Sequence, residues 1–404
     1  MAAPLHLELT TRVTPTSQVR NITLRRDGGA EAMHVRYEIP GGGGPDPRTL
    51  DGFVHAILLY AMQLGAPLIV HGPLSRTALY NIEGIQSFWN LWRPALYKRI
   101  DVQPEAIVDL ERRKPGRRAI AAFSGGVDST FTALRHKLKL AGTGSYNLDT
   151  VLMVHGFDVA SANSESFDQL VRRTEPLLSH LDLDLKIVRT NSKELRLTKW
   201  ENSFGPLLAG CLHLFSAQFE FGLVASSEPY NDLFLPWGSN PITDGLLSGD
   251  AFAIIHDGAG FSRTDKIATI ARYPAAVAGL KVCWEGSEQH KNCGVCEKCV
   301  RTRLNFLAVG EPSPACFEGS LDLSAIASIP IRNHPAFAQL RSIASFAQER
   351  QVKAEWLERL NDRLNAHERQ VRAERRREHL ASALEAIGMK TAVKRGLQLL
   401  RLMR

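Results

Sequence analysis

The chain has 404 residues, 44% of them hydrophobic and 23% charged, which is the balance of a folded globular protein and excludes a disordered or collagen-like one. That length exceeds one ordinary domain and predicts two or three units. The formal net charge is +7, and it is localised: residues 341–404 hold 15 Lys or Arg against 8 Asp or Glu, leaving the rest neutral. The first residues show no basic stretch followed by an apolar one, so no secretory leader and a cytoplasmic location are expected. Residues 52–70 and 205–224 are apolar but interrupted by His, Gln, Glu or Gly, so they predict buried elements and no transmembrane segment.

Residues 19–25 and 34–39 predict strands around Asp27-Gly28-Gly29, a hairpin signal. The glycines at 41–44 before Pro45 mark a break. A buried helix is expected over 50–63, a strand over 68–71 and an amphipathic helix over 76–92 carrying Trp89 and Trp92. That aromatic pair reads as core, with stacking on a base as the alternative. Lys114-Pro115-Gly116 closes an N-terminal α+β domain, residues 1–116.

Residues 119–123 are an apolar run of strand length that empties into Gly125-Gly126. Val127-Asp128-Ser129-Thr130 follows where a helix should begin, continuing through 131–140. A strand, a glycine loop and a helix start make an anion site, because unpaired amides point at whatever lies over them. Ser124, Ser129 and Thr130 add hydroxyl donors. No Lys follows the glycines, so the Walker A type of phosphate loop is disfavoured.

Strands are then expected at 150–155, 183–190, 222–226 and 251–255, with helices at 164–180, which Pro176 should kink, and 206–221. This alternation predicts an α/β fold with a parallel, doubly wound, Rossmann-like sheet over residues 117–312. Ligands in such sheets bind beyond the carboxyl ends of the strands. Asp158 lies there, able to reach a ribose, a base edge or a metal, or merely to cap a turn. His155 and His256 read as strand-end packing residues, and 240–245 as a loop lining a pocket or a plain connection. Ser262-Arg263-Thr264-Asp265 is a capping box opening a helix over 266–272, placing Arg263 and Lys266 where they could neutralise a carboxylate or phosphate.

Cys283, Cys293, Cys296 and Cys299 follow at tight spacing. In a chain without secretion signals they fit a structural zinc far better than disulfides, with an iron–sulfur cluster as competitor. A helix is expected from 297 to 307, while Cys211 and Cys316 lie outside the cluster. Beyond it, residues 313–404 predict a helical, basic C-terminal region with helices at 335–348, 353–379 and 380–400. Arg and Glu interleave at helical spacing over 368–378, the pattern of a solvated face, with an acidic partner, nucleic acid or anionic lipid as alternatives. Leu384, Ile387, Val393, Leu397 and Leu400 form an apolar stripe suited to docking on the body or to a homodimer, or to peripheral membrane contact.

The string Ser124 to Thr130 resembles the pyrophosphate loop of the ATP pyrophosphatase superfamily. Together with Thr264-Asp265-Lys266-Ile267, Cys283-Trp284, the Cys293-Gly294-Val295-Cys296-Glu297-Lys298-Cys299 knot and Arg301, it resembles the 7-cyano-7-deazaguanine synthase (QueC) family over residues 117–310, about half the chain. The resemblance implies an ATP-dependent carbon–nitrogen ligase of the kind found in queuosine biosynthesis. Such an enzyme activates a carboxylate such as 7-carboxy-7-deazaguanine as an acyl adenylate for attack by ammonia or an amine. It further implies ATP, Mg2+ and Zn2+ as cofactors. Ser124, Gly125, Gly126, Asp128, Ser129, Thr130 and Asp158 would hold the nucleotide and its divalent ion, Asp128, Ser129 and Lys266 would act catalytically, and the four cysteines would hold zinc. More than a hundred residues precede the loop and about ninety follow the knot, unlike compact family members. These additions fit a specialised relative that stops at the amide or couples the activated acid to an amine on a protein acceptor. The alternatives are transfer-RNA thiolation, for which Cys211 is a poor catalytic thiol, and a nucleotide-binding partner protein without turnover.

Overall fold

The computed structural model describes residues 2–386, apart from 30, 43, 112–115, 284 and 287. The chain opens with antiparallel β1 (Leu5–Val13), β2 (Ser17–Arg26) and β3 (Ala32–Pro40). Buried Gln18, Arg20, Ile22 and Leu24 alternate along β2, the period of two that puts one strand face inward. Then come α1 (Asp51–Leu64), β4 (Leu68–Ser75), α2 (Arg76–Trp92) and β5 (Val102–Val108). Trp89 is buried edge-on to Trp92 and Tyr97, so the aromatic pair serves packing.

The alternating part follows: β6 (Arg118–Ala122), α3 (Val127–Lys137), β7 (Asn147–His155), α4 (Ser164–His180), β8 (Asp184–Thr190) and α5 (Trp200–His213). After these come β9 (Phe221–Ala225), β10 (Ala253–Asp257), α6 (Arg263–Ile270), α7 (Pro274–Gly279) and α8 (Glu297–Ala308). The ten strands among the described residues lie in one mixed, mostly parallel sheet, ordered β10-β9-β6-β7-β8-β3-β2-β1-β4-β5. Within it β6 to β10 are mutually parallel. The N-terminal strands continue this sheet through an antiparallel contact of Tyr37 and Glu38 with Thr190 and Arg189.

Successive β-residues face opposite layers. Ile120, Ala122, Leu152, Val188, Val224 and Ile254 join the core that contains the buried faces of α1 and α5. Ala119, Ala121, Val151, Met153 and Leu223 join the core that contains those of α3, α4 and α6. The close approach of α1 to α5 rests on Gly52, where a Cβ would fall 2.2 Å from the His213 Cβ. The helix expected over 206–221 instead runs Trp200–His213, with Pro206 inside it. Burial of Leu207, Cys211 and Leu212 offsets the one hydrogen bond that Pro206 cannot make. Edge strand β5 carries Pro104, a residue that reads against a strand and is tolerated where a backbone N–H faces no partner.

Contact density divides the chain after Ser320. The unit from Leu321 onward contains α9 (Ser324–Ser328), α10 (His334–Glu349) and α11 (Glu355–Ala386), with Leu340, Ile343, Trp356, Leu360 and Leu364 buried. Pairs Arg359–Glu355 and Arg372–Glu368 stand one helical turn apart on α11. The boundary residues Lys114 and Pro115, Trp284, and the positions 387–400 of the apolar stripe lie outside the described residues, as does the side chain of Leu384. No helix among the described residues is long and apolar enough to cross a membrane.

Candidate functional site

At the end of β6 the Phe123 N–H donates to the Leu152 carbonyl, and the chain then turns over Gly125 at φ 71°. A Cβ there would stand 3.2 Å from Thr174 Cγ2 in a backbone region that side chains disfavour. The Gly125 carbonyl accepts from the Lys281 N–H at 2.8 Å, tying the loop to the segment that leads into the cysteines. Gly126 starts α3 with no side chain capping its amides. Ser124 Oγ accepts from the Gly126 N–H at 3.3 Å, and Ser129 Oγ links the Ser124 N–H to the Gly126 carbonyl, both at 3.2 Å. The two hydroxyls thus hold the loop's shape, while Thr130 is buried behind it. The result is a rigid, open helix start of the kind that receives phosphate.

Asp128, in the first turn of α3, meets two cations from the first turn of α6: Arg263 at 2.6 Å on Oδ2 and Lys266 at 3.0 Å on Oδ1. The expected capping box forms, with Ser262 Oγ and Asp265 exchanging hydrogen bonds with each other's backbone. Lys266 is 1% exposed and also donates to the Ser226 carbonyl at 2.5 Å, just beyond β9. β6 and β9 are neighbours at the point where the chain order of the parallel strands reverses. The cluster therefore sits at a topological switch point, where open α/β sheets leave a crevice. Burial pushes the Asp128 carboxyl up, but Arg263, Lys266 and Lys298 outweigh it and hold the group below the usual carboxylate range. Both oxygens of Asp128 are engaged by cations, so it is not a free metal ligand in this arrangement.

The sequence reading assigned no role to Lys281 or Lys298, and it placed Glu228 only at the carboxyl end of a predicted strand, where the structure has it, three residues past β9. Lys298 stands between two cysteines at the start of α8, and burial and Arg263 push its ammonium down against the opposing pull of Asp158 and Asp128. Burial also lowers Lys281, again opposed by the field of exposed Asp158. Arg301, one turn on from Lys298, is brought down to about 10 by burial and by Arg263, and pairs with Glu297 at 3.0 Å. Burial raises Glu228, whose carboxylate accepts from Ser227 Oγ at 2.6 Å and lies within the field of Asp128. Only the position of Lys298 inside the knot offered a signal; Lys281 offered none.

His155 is buried, stacked on Phe167 at 4.4 Å and bonded to the Ala160 carbonyl, and burial lowers its pKa, which makes it a packing residue. His256 Nδ1 meets Asp244 Oδ2 at 2.7 Å, and Asp244 also receives Ser239 Oγ and the Asn240 N–H, so the 240–245 loop is ordered by this pair.

The sulfur atoms of Cys283, Cys293, Cys296 and Cys299 lie within 4.8 Å of one another, with Cys283–Cys296 at 3.8 Å and Cys293–Cys299 at 3.9 Å. A tetrahedral zinc with bonds near 2.3 Å needs sulfur separations of about 3.8 Å, so these four can hold a metal ion such as zinc. In a four-iron cluster each thiolate sits on a different iron and the sulfurs stand farther apart. Gly294, at φ 77°, forms the first knuckle. Asn292 braces the knot: Oδ1 accepts from the Val282 and Cys283 amides at 2.8 and 3.1 Å, and Nδ2 donates to the Leu280 and Cys316 carbonyls at 2.9 Å. Cys211 is fully buried and its thiol is pushed well up by burial, the opposite of an activated nucleophile.

No family model, no curated protein and no solved structure matches this chain.

Proposed function

We propose that the protein is an ATP-dependent carbon–nitrogen ligase that activates a carboxylate as an acyl adenylate and passes it to ammonia or an amine. The observation that carries this reading is the pairing of an uncapped glycine loop with the Asp128–Arg263–Lys266 cluster at the switch point of a parallel, Rossmann-like sheet. The sequence resemblance to the QueC family, carried by the same loop and Lys266 together with the cysteine knot, agrees with it. In this reading a carboxylate oxygen attacks the α-phosphorus of ATP, the bond to the β-phosphate oxygen breaks, and pyrophosphate leaves onto the amides of Gly125, Val127 and Asp128 and the exposed hydroxyl of Ser124, with Ser129 holding the loop's shape. Arg263 and Lys266 offset the charge that builds on the phosphorus oxygens, and Asp128 holds both cations in place. The amine nitrogen then bonds to the acyl carbon, AMP departs with the bonding electrons, and the nitrogen releases a proton.

Magnesium would arrive on the nucleotide's phosphates, since Asp128 is already paired. Zinc in the four-cysteine site would stabilise the segment that carries Lys281 and Lys298, apart from the reacting atoms. The deciding experiment is mass spectrometry of the protein with ATP, magnesium, ammonia and 7-carboxy-7-deazaguanine or other aromatic acids. Equal amounts of AMP and pyrophosphate with an amide or nitrile product are expected, falling by about 10²–10³-fold in Lys266→Met. ATP left intact with every acid, or a fully active Lys266→Met protein, overturns the proposal.

A further inference from the structure

A second concave site lies where the N-terminal segment meets the alternating part of the sheet. Its cavity of about 310 Å³ is lined by Tyr60 from α1, by Ser192, Lys193 and Arg196 from the loop after β8, and by Trp200 and Ser203 from α5. That volume is at the lower end of the range used by small-molecule sites. Among the described residues the lining includes two aromatic rings and two cations and has no carboxylate. Ser192 is 3% exposed, and its Oγ has no hydrogen-bond partner among the described residues. A buried hydroxyl left without a partner destabilises a fold, and although this one is closed off as it stands, a turn of the Ser192 side chain toward a ligand atom in the cavity would give it a partner. Arg196 holds a left-handed backbone at φ 48°, a conformation that costs energy for a residue with a Cβ.

The walls are also held from outside. Lys193 donates to the Phe157 carbonyl at 2.7 Å and lies 4.4 Å over the Trp200 ring, while Phe157 packs edge-on to that ring at 5.1 Å. Glu194 accepts from the Ser161 N–H at 3.1 Å, joining the same two loops once more. With Lys193 committed to this bracing, Arg196 is the cation left at the rim, exposed to solvent.

We infer that this cavity binds a small aromatic carboxylic acid, its ring against Tyr60 and Trp200, a ring heteroatom or carbonyl on Ser192 Oγ, and its carboxylate on Arg196. Aromatic walls supply area, the cation selects the charge, and the unpaired hydroxyl selects a polar ring. The inference stands apart from the adenylation reading, because no nucleotide enters the argument or the test.

The test is a titration of the full chain, without ATP, against nicotinate, salicylate and indole-carboxylate, each beside its neutral carboxamide, followed by tryptophan fluorescence and calorimetry. At least one acid is expected to quench fluorescence saturably, with the quench absent in Trp200→Phe. Arg196→Gln, Ser192→Ala and the change from acid to carboxamide should each weaken binding about tenfold or more. Ser192→Ala should leave the unliganded protein as stable as the parent, since it deletes a group with nothing to bond. Arg196 is exposed, so Arg196→Gln keeps the fold and covers the case in which another variant fails to fold. Failure of every acid to bind, carboxamides binding as tightly as acids, or a Ser192→Ala protein that loses stability while keeping affinity overturns the inference.

Discussion

Asp128→Asn removes one charge from the centre of the cluster and leaves its shape. Lys266 would then stand 1% exposed, with the Ser226 carbonyl and a neutral amide as partners, and Arg263 would lose its carboxylate. Removing one member of a buried ion pair costs about 3–5 kcal/mol, and because Asp128 is 19% exposed and Asn keeps one acceptor, about 2–3 kcal/mol is expected here. The cost must depend on pH. The folded pKa of Asp128 lies below its unfolded value, so its contribution is complete above the unfolded value and is lost as pH falls through the folded one. Urea unfolding of parent and variant from about pH 7 down to about pH 3 should therefore show a constant gap that closes only below about pH 4. A variant as stable as the parent at neutral pH, or a gap that persists unchanged in acid, would refute the account of the cluster.

Cys296→Ser should lose bound metal and several kcal/mol of stability together, measured by metal analysis and urea unfolding; a metal-free variant as stable as the metal-loaded parent would sink the structural-zinc assignment. Asn292→Ala leaves all four thiols but removes their brace, so zinc affinity in a chelator competition should fall about 10–100-fold with the metal still tetrahedral by cobalt spectroscopy. Gly125→Ala forces a Cβ into the left-handed region 3.2 Å from Thr174, at roughly 1–2 kcal/mol, and should slow AMP release more than it lowers stability.

Local signals were read where local chemistry decides. Ser262 and Asp265 cap α6 because the capping box needs only four consecutive residues, and helix α2 runs over the same residues, 76–92, that its apolar spacing predicts. The four cysteines announced a cluster that could hold a metal ion because ligand type and spacing are covalent properties of the chain. Strand β5 was not legible, since Pro104 argues against a strand unless the segment lies at a sheet edge. The start of α5 was misplaced because Pro206 looks like a helix opening, and only the buried surface of the sheet allows a turn and a half before it.

The loop from Ser124 to Thr130, the capping box and the cysteine knot were written in the sequence, each within a single short stretch of chain whose own geometry dictates the result. Tertiary structure alone decided that Asp128 would meet Arg263 and Lys266, residues more than a hundred positions away, and that Lys281 and Lys298 would lie within the field of Asp158. It alone joined the N-terminal strands to β8, creating the cavity between Tyr60 and Trp200. Sheet order and close packing depend on burying apolar faces over the whole chain, and no short stretch of residues contains that information.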